Sequence, residues 1–321
     1  KRQLTKLTIP VSLTSLQTML LLSISAVSFI IVFSANNKSL ISMFFRGGEF
    51  YQSTIESSTI GLIVLNFIRP LSMMSLLYYI IIEKKNYIIF SILFLFTLIT
   101  CFPLGMPRFS AAAMYIPLIL LLIPFVRRKN VFSLIFIFAF LLIFPFLDNF
   151  RYFTVGKTIS FNLNFNMFLE GHFDNYQNLA LIISNNIITY GRQLIGVLLF
   201  WVPRSFWPNK PVGSGAYTAE ILDFNFSNIS ANYFGEGYIN FGFFGMLLFV
   251  LFLAFITAKM DKLYWVVLSS QKNNYYKIIY MLLLGLLFFF LRGDMMSAFA
   301  FTVGFLFSAF LVLRVIRFHH K

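Results

Sequence analysis

Runs of about twenty apolar residues recur along this chain, separated by short polar or basic breaks. A run of that length crosses the roughly 30 Å hydrocarbon core of a bilayer as one helix, so the pattern predicts membrane spans. Eight are placed, at 9–34, 59–82, 86–102, 109–126, 131–148, 233–258, 276–291 and 295–313. A ninth apolar stretch, 178–202, is interrupted by Asn185, Asn186 and Arg192. It reads as an interfacial or partly re-entrant helix. A full span there would invert everything downstream.

Charge selects between the two topologies. With both termini cytoplasmic, the inner loops and tails hold 15 of the 25 basic residues but only Glu83 and Asp261 among the acids, a balance of +13. The other 10 basic and 9 acidic residues lie outside or within spans and nearly cancel. That asymmetry is the positive-inside pattern. If 178–202 spanned fully, Lys259, Lys262, Lys272 and Lys277 would move outside and the pattern would break. The net charge of +14 is therefore explained by topology, with no nucleic-acid partner required.

Composition agrees. Of 321 residues, 59% are hydrophobic, 19% aromatic and only 11% charged, and mean hydropathy is +0.82. The expected fold is an all-α, polytopic integral membrane protein of about eight transmembrane helices. A single cysteine, Cys101, and three histidines exclude an intrachain disulfide and make a metal centre unexpected. The chain opens on Lys1, which suggests a portion of a longer protein with spans upstream.

The outer face carries a small loop near 35–58 and a large one at 149–232. The large loop is rich in aromatics (Tyr152, Phe165, Phe168, Phe173, Tyr176) and is expected to fold back onto the membrane surface as short interfacial helices. Within it, Phe200-Trp201-Val202-Pro203-Arg204-Ser205-Phe206-Trp207-Pro208-Asn209-Lys210-Pro211 combines three prolines, two tryptophans and two cations. Proline blocks regular helix and tryptophan favours the headgroup level, so a shaped, cation-bearing loop at the surface is expected.

Ionisable groups in or beside apolar segments are costly and mark candidate chemistry. Arg69 precedes Pro70 inside a span, Arg108 follows Pro107 in an outer turn, and Arg292 and Asp294 flank Gly293. Arg151 and Arg192 bracket the large loop that also holds Arg204 and Lys210. Guanidinium forks match phosphate oxygens, and lysine adds a point charge, so such cations suit a lipid-linked diphosphate. The plainer readings are a helix-stabilising partner for Arg69, an interfacial arginine for Arg108 and a local ion pair for Arg292 with Asp294. Candidate bases are Asp174, His172 and Glu236, which lies between Gly235 and Gly237. Structural roles in the loop are the alternative for these, and His172 lacks partners for a metal site.

Two segments together carry a resemblance. Pro203-Arg204 through Trp207-Pro208-Asn209-Lys210-Pro211, then Gly235-Glu236 through Tyr238-Ile239-Asn240-Phe241-Gly242 and Gly245, resemble the Wzy-type oligosaccharide repeat-unit polymerases of O-antigen and capsule assembly. Phe173-Asp174-Asn175-Tyr176 and Pro107-Arg108 look like the same pattern. The resemblance covers about the last two-thirds of the chain. It implies a GT-C-like glycosyltransferase of the bacterial inner membrane, with no metal and no cofactor, active on the periplasmic or outer face. Donor and acceptor would both be undecaprenyl-diphosphate-linked oligosaccharides, with membrane lipids, a chain-length regulator and a flippase as partners. Arg108, Arg204 and Lys210 would face the diphosphate, with Arg151, Arg292 and Arg69 as further candidates. Asp174, Glu236 or His172 would act as base or orient the acceptor. An O-antigen ligase shares this donor, and a lipid-linked oligosaccharide transporter is the alternative of another class. A transporter would place polar groups at mid-bilayer in related halves, and no halves match here.

Overall fold

The computed structural model describes residues 12–45, 59–143, 145, 165, 174–227, 229–268 and 274–318, and every extended regular element among them is helical. Five helices are long and apolar enough to cross a membrane: Ser15–Ala35, Gly61–Ile81, Tyr87–Gly105, Tyr233–Val266 and Met295–Arg317. The segments predicted at 109–126, 131–148 and 276–291 form shorter helices, Arg108–Leu122, Val131–Ile143 and Tyr276–Arg292. The chain is a helical membrane protein. It divides into two compact units, residues 1–164 with 264–285 and 304–321, and residues 165–263 with 286–303.

In the first unit, α1 (Ser15–Ala35) and α2 (Leu40–Phe44) precede α3 (Thr59–Ile63), a wider π turn (Val64–Ile68) and α4 (Arg69–Ile81). α5 (Tyr87–Thr100), α6 (Arg108–Leu122) and α7 (Val131–Phe138) follow. Every residue of α4 is buried, whereas only 22% and 28% of the α1 and α5 spans are buried. Buried on every side, α4 packs against α1, α5 and α6. Pro70 has no N–H to continue the helical ladder, and the π turn before it shifts the remaining partners. Side chains of neighbouring helices accordingly serve the displaced carbonyls. Ser308 Oγ donates to Phe67 O at 2.7 Å, Ser28 Oγ to Ile68 O at 2.8 Å and Cys101 Sγ to Arg69 O at 3.3 Å. In a bilayer, where water cannot reach these groups, a proline-broken span needs such partners.

The second unit is built from α8 (Asn175–Ser184), α9 (Arg192–Leu198), α10 (Ser214–Ile221) and α11 (Tyr233–Leu263). It also takes the end of α12 (Tyr276–Arg292) and the start of α13 (Met295–Phe318). The stretch 178–202 is broken at residues 185–191, where Asn186 and Tyr190 take positive φ of 50° and 51°. The resulting helices of 10 and 7 residues reach only about 15 and 10 Å, too short to span.

α11 bends sharply at Phe241 (φ −147°, ψ 24°) and Gly242 (φ 64°, ψ −152°). The second conformation is one that only glycine adopts readily. The bend releases two carbonyls that the broken 185–191 segment then serves. Thr189 N–H donates to Ile239 O at 2.7 Å and Gly191 N–H to Asn240 O at 2.9 Å. Before the bend the helix is mostly buried, and Ile182, Ile187, Ala231, Tyr238 and Ile239 form a small core there. After it, Phe243, Phe244, Leu247, Leu251, Phe252 and Phe255 are exposed. The lipid-facing part of this span therefore begins near 243 rather than at 233, where its apolar run starts.

Candidate functional site

Two acids of the second unit meet the N-termini of two helices. Glu236, on the buried arm of α11, has no solvent exposure. One carboxylate oxygen accepts from Ser214 Oγ at 2.6 Å and the other from Met295 N–H at 2.8 Å. Ser214 is the first residue of α10 and Met295 the first of α13. Asp294 accepts from Met296 N–H at 2.9 Å and Ser297 N–H at 3.2 Å, which makes it the N-cap of α13. Its other oxygen accepts from Gly215 N–H at 3.4 Å. Gly213 lies so close that a Cβ there would sit 2.0 Å from Asp294 Oδ2.

Helix N-termini carry unsatisfied N–H groups and the positive end of the peptide dipoles. Two carboxylates between two such termini neutralise both. Burial holds the Asp294 carboxyl above the ordinary aspartate range, opposed by the N–H groups of Ser297, Gly215, Met296 and Ser214. Asn240, one turn after Glu236, extends the tie: its amide donates to Glu236 O at 2.9 Å and its carbonyl accepts from Leu194 N–H at 2.8 Å. Glu236 is thus positioned to hold α10, α11 and α13 together, with both carboxylate oxygens engaged and buried.

The loop between α9 and α10 is tied by its own cations. Lys210 Nζ donates to the carbonyls of Phe200 and Val202. Arg204 donates to Lys210 O at 2.9 Å, and Arg192 to Asn209 O at 3.3 Å. Three cations therefore gather at one turn, each held by a backbone carbonyl. Burial, with the Arg204 charge beside it, lowers the Lys210 pKa from the ordinary lysine value. Each guanidinium donates one hydrogen bond to a backbone carbonyl of the loop, out of the five N–H donors it carries. Arg192, which the sequence marks only as bracketing the loop, belongs to this cluster.

A third group surrounds the start of α8. Asp174, partly buried, accepts from Asn178 Nδ2 at 3.3 Å and lies within electrostatic range of Arg292. Burial raises its pKa above the usual aspartate value, opposed by its own backbone N–H, Arg292 and Asn178. Asn178 also donates to Ser230 O at 3.1 Å, Asn175 to Arg292 O at 2.9 Å and Asn232 to Asn175 O at 3.3 Å. These amide bridges join α8, the entry to α11 and the turn before α13. Asp174 is the accessible carboxylate of the two candidates.

Of the remaining predicted residues, Arg69 and Arg108 belong to the first unit. Arg69 is buried and donates to Gly105 O at 3.1 Å, as a helix-stabilising arginine would. Arg108 opens α6 directly after Pro107. Arg151 and His172 lie outside the described residues. Among the described residues no group of three His, Cys, Asp or Glu side chains could hold a metal ion. Ser214, Asn240 and the Met295 N–H were not legible in the sequence as site partners. Ser214 carried one local signal, its place at a helix start after Gly213.

Fold and site define a helical membrane protein with a buried acid pair and a cation-bearing surface loop. Comparisons with protein-family models, curated proteins and solved structures find no match.

Proposed function

We propose that this chain is a lipid-linked glycan polymerase of a bacterial plasma membrane, working on its outer face. It transfers a growing glycan from one undecaprenyl diphosphate to the non-reducing sugar of another lipid-linked repeat unit. An acceptor hydroxyl oxygen bonds to the donor's anomeric carbon as the bond from that carbon to the diphosphate oxygen breaks. Undecaprenyl diphosphate leaves with the bonding electrons, and the hydroxyl proton passes to Asp174. Arg204 and Lys210 stabilise the departing diphosphate, with Arg292 beside Asp174; Arg108, Arg151 and Arg69 are secondary candidates. Glu236 positions these parts. A diphosphate is already a good leaving group, so charge stabilisation and one base are sufficient chemistry.

One observation carries this reading. Ser214 lies three residues after Pro211, the end of the Trp-Pro-Asn-Lys-Pro segment, and it hydrogen-bonds Glu236 of the Gly-Glu-Gly-Tyr-Ile-Asn-Phe-Gly segment at 2.6 Å. The two motifs that suggest the polymerase family are thereby tied to each other within one unit. The test is incubation of purified protein with synthetic undecaprenyl-diphosphate repeat units. A ladder of longer lipid-linked products is expected, and Arg204→Ala should abolish it without changing membrane insertion. Movement of intact units across liposomes with no ladder would overturn the proposal in favour of transport.

A further inference from the structure

α9 is amphipathic in an unusual sense: its inner face (Gln193, Gly196, Val197) is buried, and its outer face is apolar as well. Ile195, Leu198 and Leu199 are all exposed. The flanking loops continue that surface with Tyr190 at 85%, Trp201 at 67% and Phe206 at 84% exposure. Gly196 packs against Pro211 and Met296, with 3.1 Å from a built Cβ to either, so the inner face is anchored in the second unit. The outer face is then held in place, and its side chains are exposed among the described residues.

A helix of 7 residues cannot cross a bilayer, and six large apolar side chains facing water would be strongly unfavourable. Tryptophan and tyrosine beside aliphatic residues match the boundary between headgroups and acyl chains. Charge supplies the second argument. Arg192 and Arg204 donate to the consecutive carbonyls of Asn209 and Lys210, which sets two guanidinium groups and the Lys210 ammonium on one turn. Among the described residues no acidic side chain forms an ion pair with any of the three. A fixed cation cluster beside an apolar surface complements anionic headgroups above acyl chains.

We infer that α9 and its flanking loops, residues 190–206, form an interfacial platform that lies in the headgroup layer and binds anionic phospholipid. Trp201 and the outer face of α9 enter the acyl boundary, and Arg192 contacts headgroup phosphates. This stands on the membrane fold and the loop geometry, independently of the polymerase reading.

The full chain carrying Trp207→Phe and Trp265→Phe keeps Trp201 as its one tryptophan. It is reconstituted in vesicles holding phosphatidylglycerol or phosphatidylcholine brominated at shallow or deep acyl positions. Trp201 fluorescence is expected to be quenched more by shallow than by deep bromines, and more by brominated phosphatidylglycerol than by phosphatidylcholine. Arg192→Gln should lower the phosphatidylglycerol preference roughly five-fold, and added salt should lower it too. A Trp201 that emits as in water and escapes both quenchers would overturn the platform. Equal quenching by the two lipids would overturn the anionic recognition. Neither readout involves glycan transfer, so failure here leaves the polymerase proposal to its own assay.

Discussion

Replacing Glu236 separates a positioning role from a chemical one. Glu236→Ala removes the acceptor of the buried Ser214 hydroxyl, at 2.6 Å, and of the Met295 N–H, at 2.8 Å. An unsatisfied buried donor costs about 1–3 kcal/mol, so the two losses come to roughly 2–6 kcal/mol before any cavity is counted. Glu236→Gln has a different outcome. Its amide oxygen can accept from Met295 N–H while its NH₂ donates to Ser214 Oγ, since a hydroxyl can accept as well as donate. The favourable charge at two helix N-termini is lost, about 0.3–1 kcal/mol each, but the electrostatic repulsion between Glu236 and Asp294 disappears too. The glutamine variant should therefore lie within about 1 kcal/mol of the parent and retain most of its activity. The assay pairs an unfolding titration in mixed micelles with product ladders from the same preparations. A glutamine variant that folds normally but makes no product would show that Glu236 takes part in the chemistry. An alanine variant as stable as the parent would refute the tie itself.

Other outcomes follow from the same geometry. Asp174 acts as a base only when deprotonated, and its raised pKa moves the acidic fall in activity above the ~3.9 of an ordinary aspartate; Asp174→Asn should remove product at every pH while leaving the fold intact, and normal turnover would exclude the role. The same raised pKa means that the folded state binds the proton more tightly, so Asp174's contribution to stability is present at low pH and lost as pH rises through the folded value. Unfolding midpoints of Asp174→Asn should accordingly fall less with rising pH than those of the parent. Lys210→Met removes the donor to Phe200 O and Val202 O and should both loosen the loop, seen as faster proteolysis between 200 and 211, and end polymerisation; unchanged cleavage would show that the ammonium does not brace it. Gly242→Ala forces a Cβ into φ 64°, ψ −152° and should destabilise by about 1–3 kcal/mol, measured by the same unfolding titration; a neutral result would mean that the bend relaxes.

Local features were legible in the sequence, and partnerships distant along the chain were not. Asn185 and Asn186 mark the break in 178–202, because short polar side chains interrupt an apolar run and tolerate left-handed backbone. The three prolines between 203 and 211 indicated irregular backbone, which the structure bears out. Glycines 235 to 245 signalled close approach, seen where Gly245 meets Gly237 O. Nothing local revealed that α11 turns at Gly242, since a glycine in an apolar run is equally compatible with a straight helix. The buried α4 is less apolar than the exposed α5, with a mean hydropathy of 1.4 against 2.4 over the two spans, because its serines and Arg69 find partners inside the protein.

The sequence by itself determined that this is a helical membrane protein, where its apolar runs lie, and that its cations are unevenly distributed along the chain. Those properties depend on transfer of contiguous residues from water to hydrocarbon, and adjacent residues suffice to set them. Only the tertiary structure decided what the polar groups do. Glu236 finds Ser214 22 positions away and Met295 59 away, and Arg192 finds the carbonyl of Asn209. A hydrogen bond forms between groups about 3 Å apart in space whatever their separation in sequence, so its partners exist only once the helices have packed.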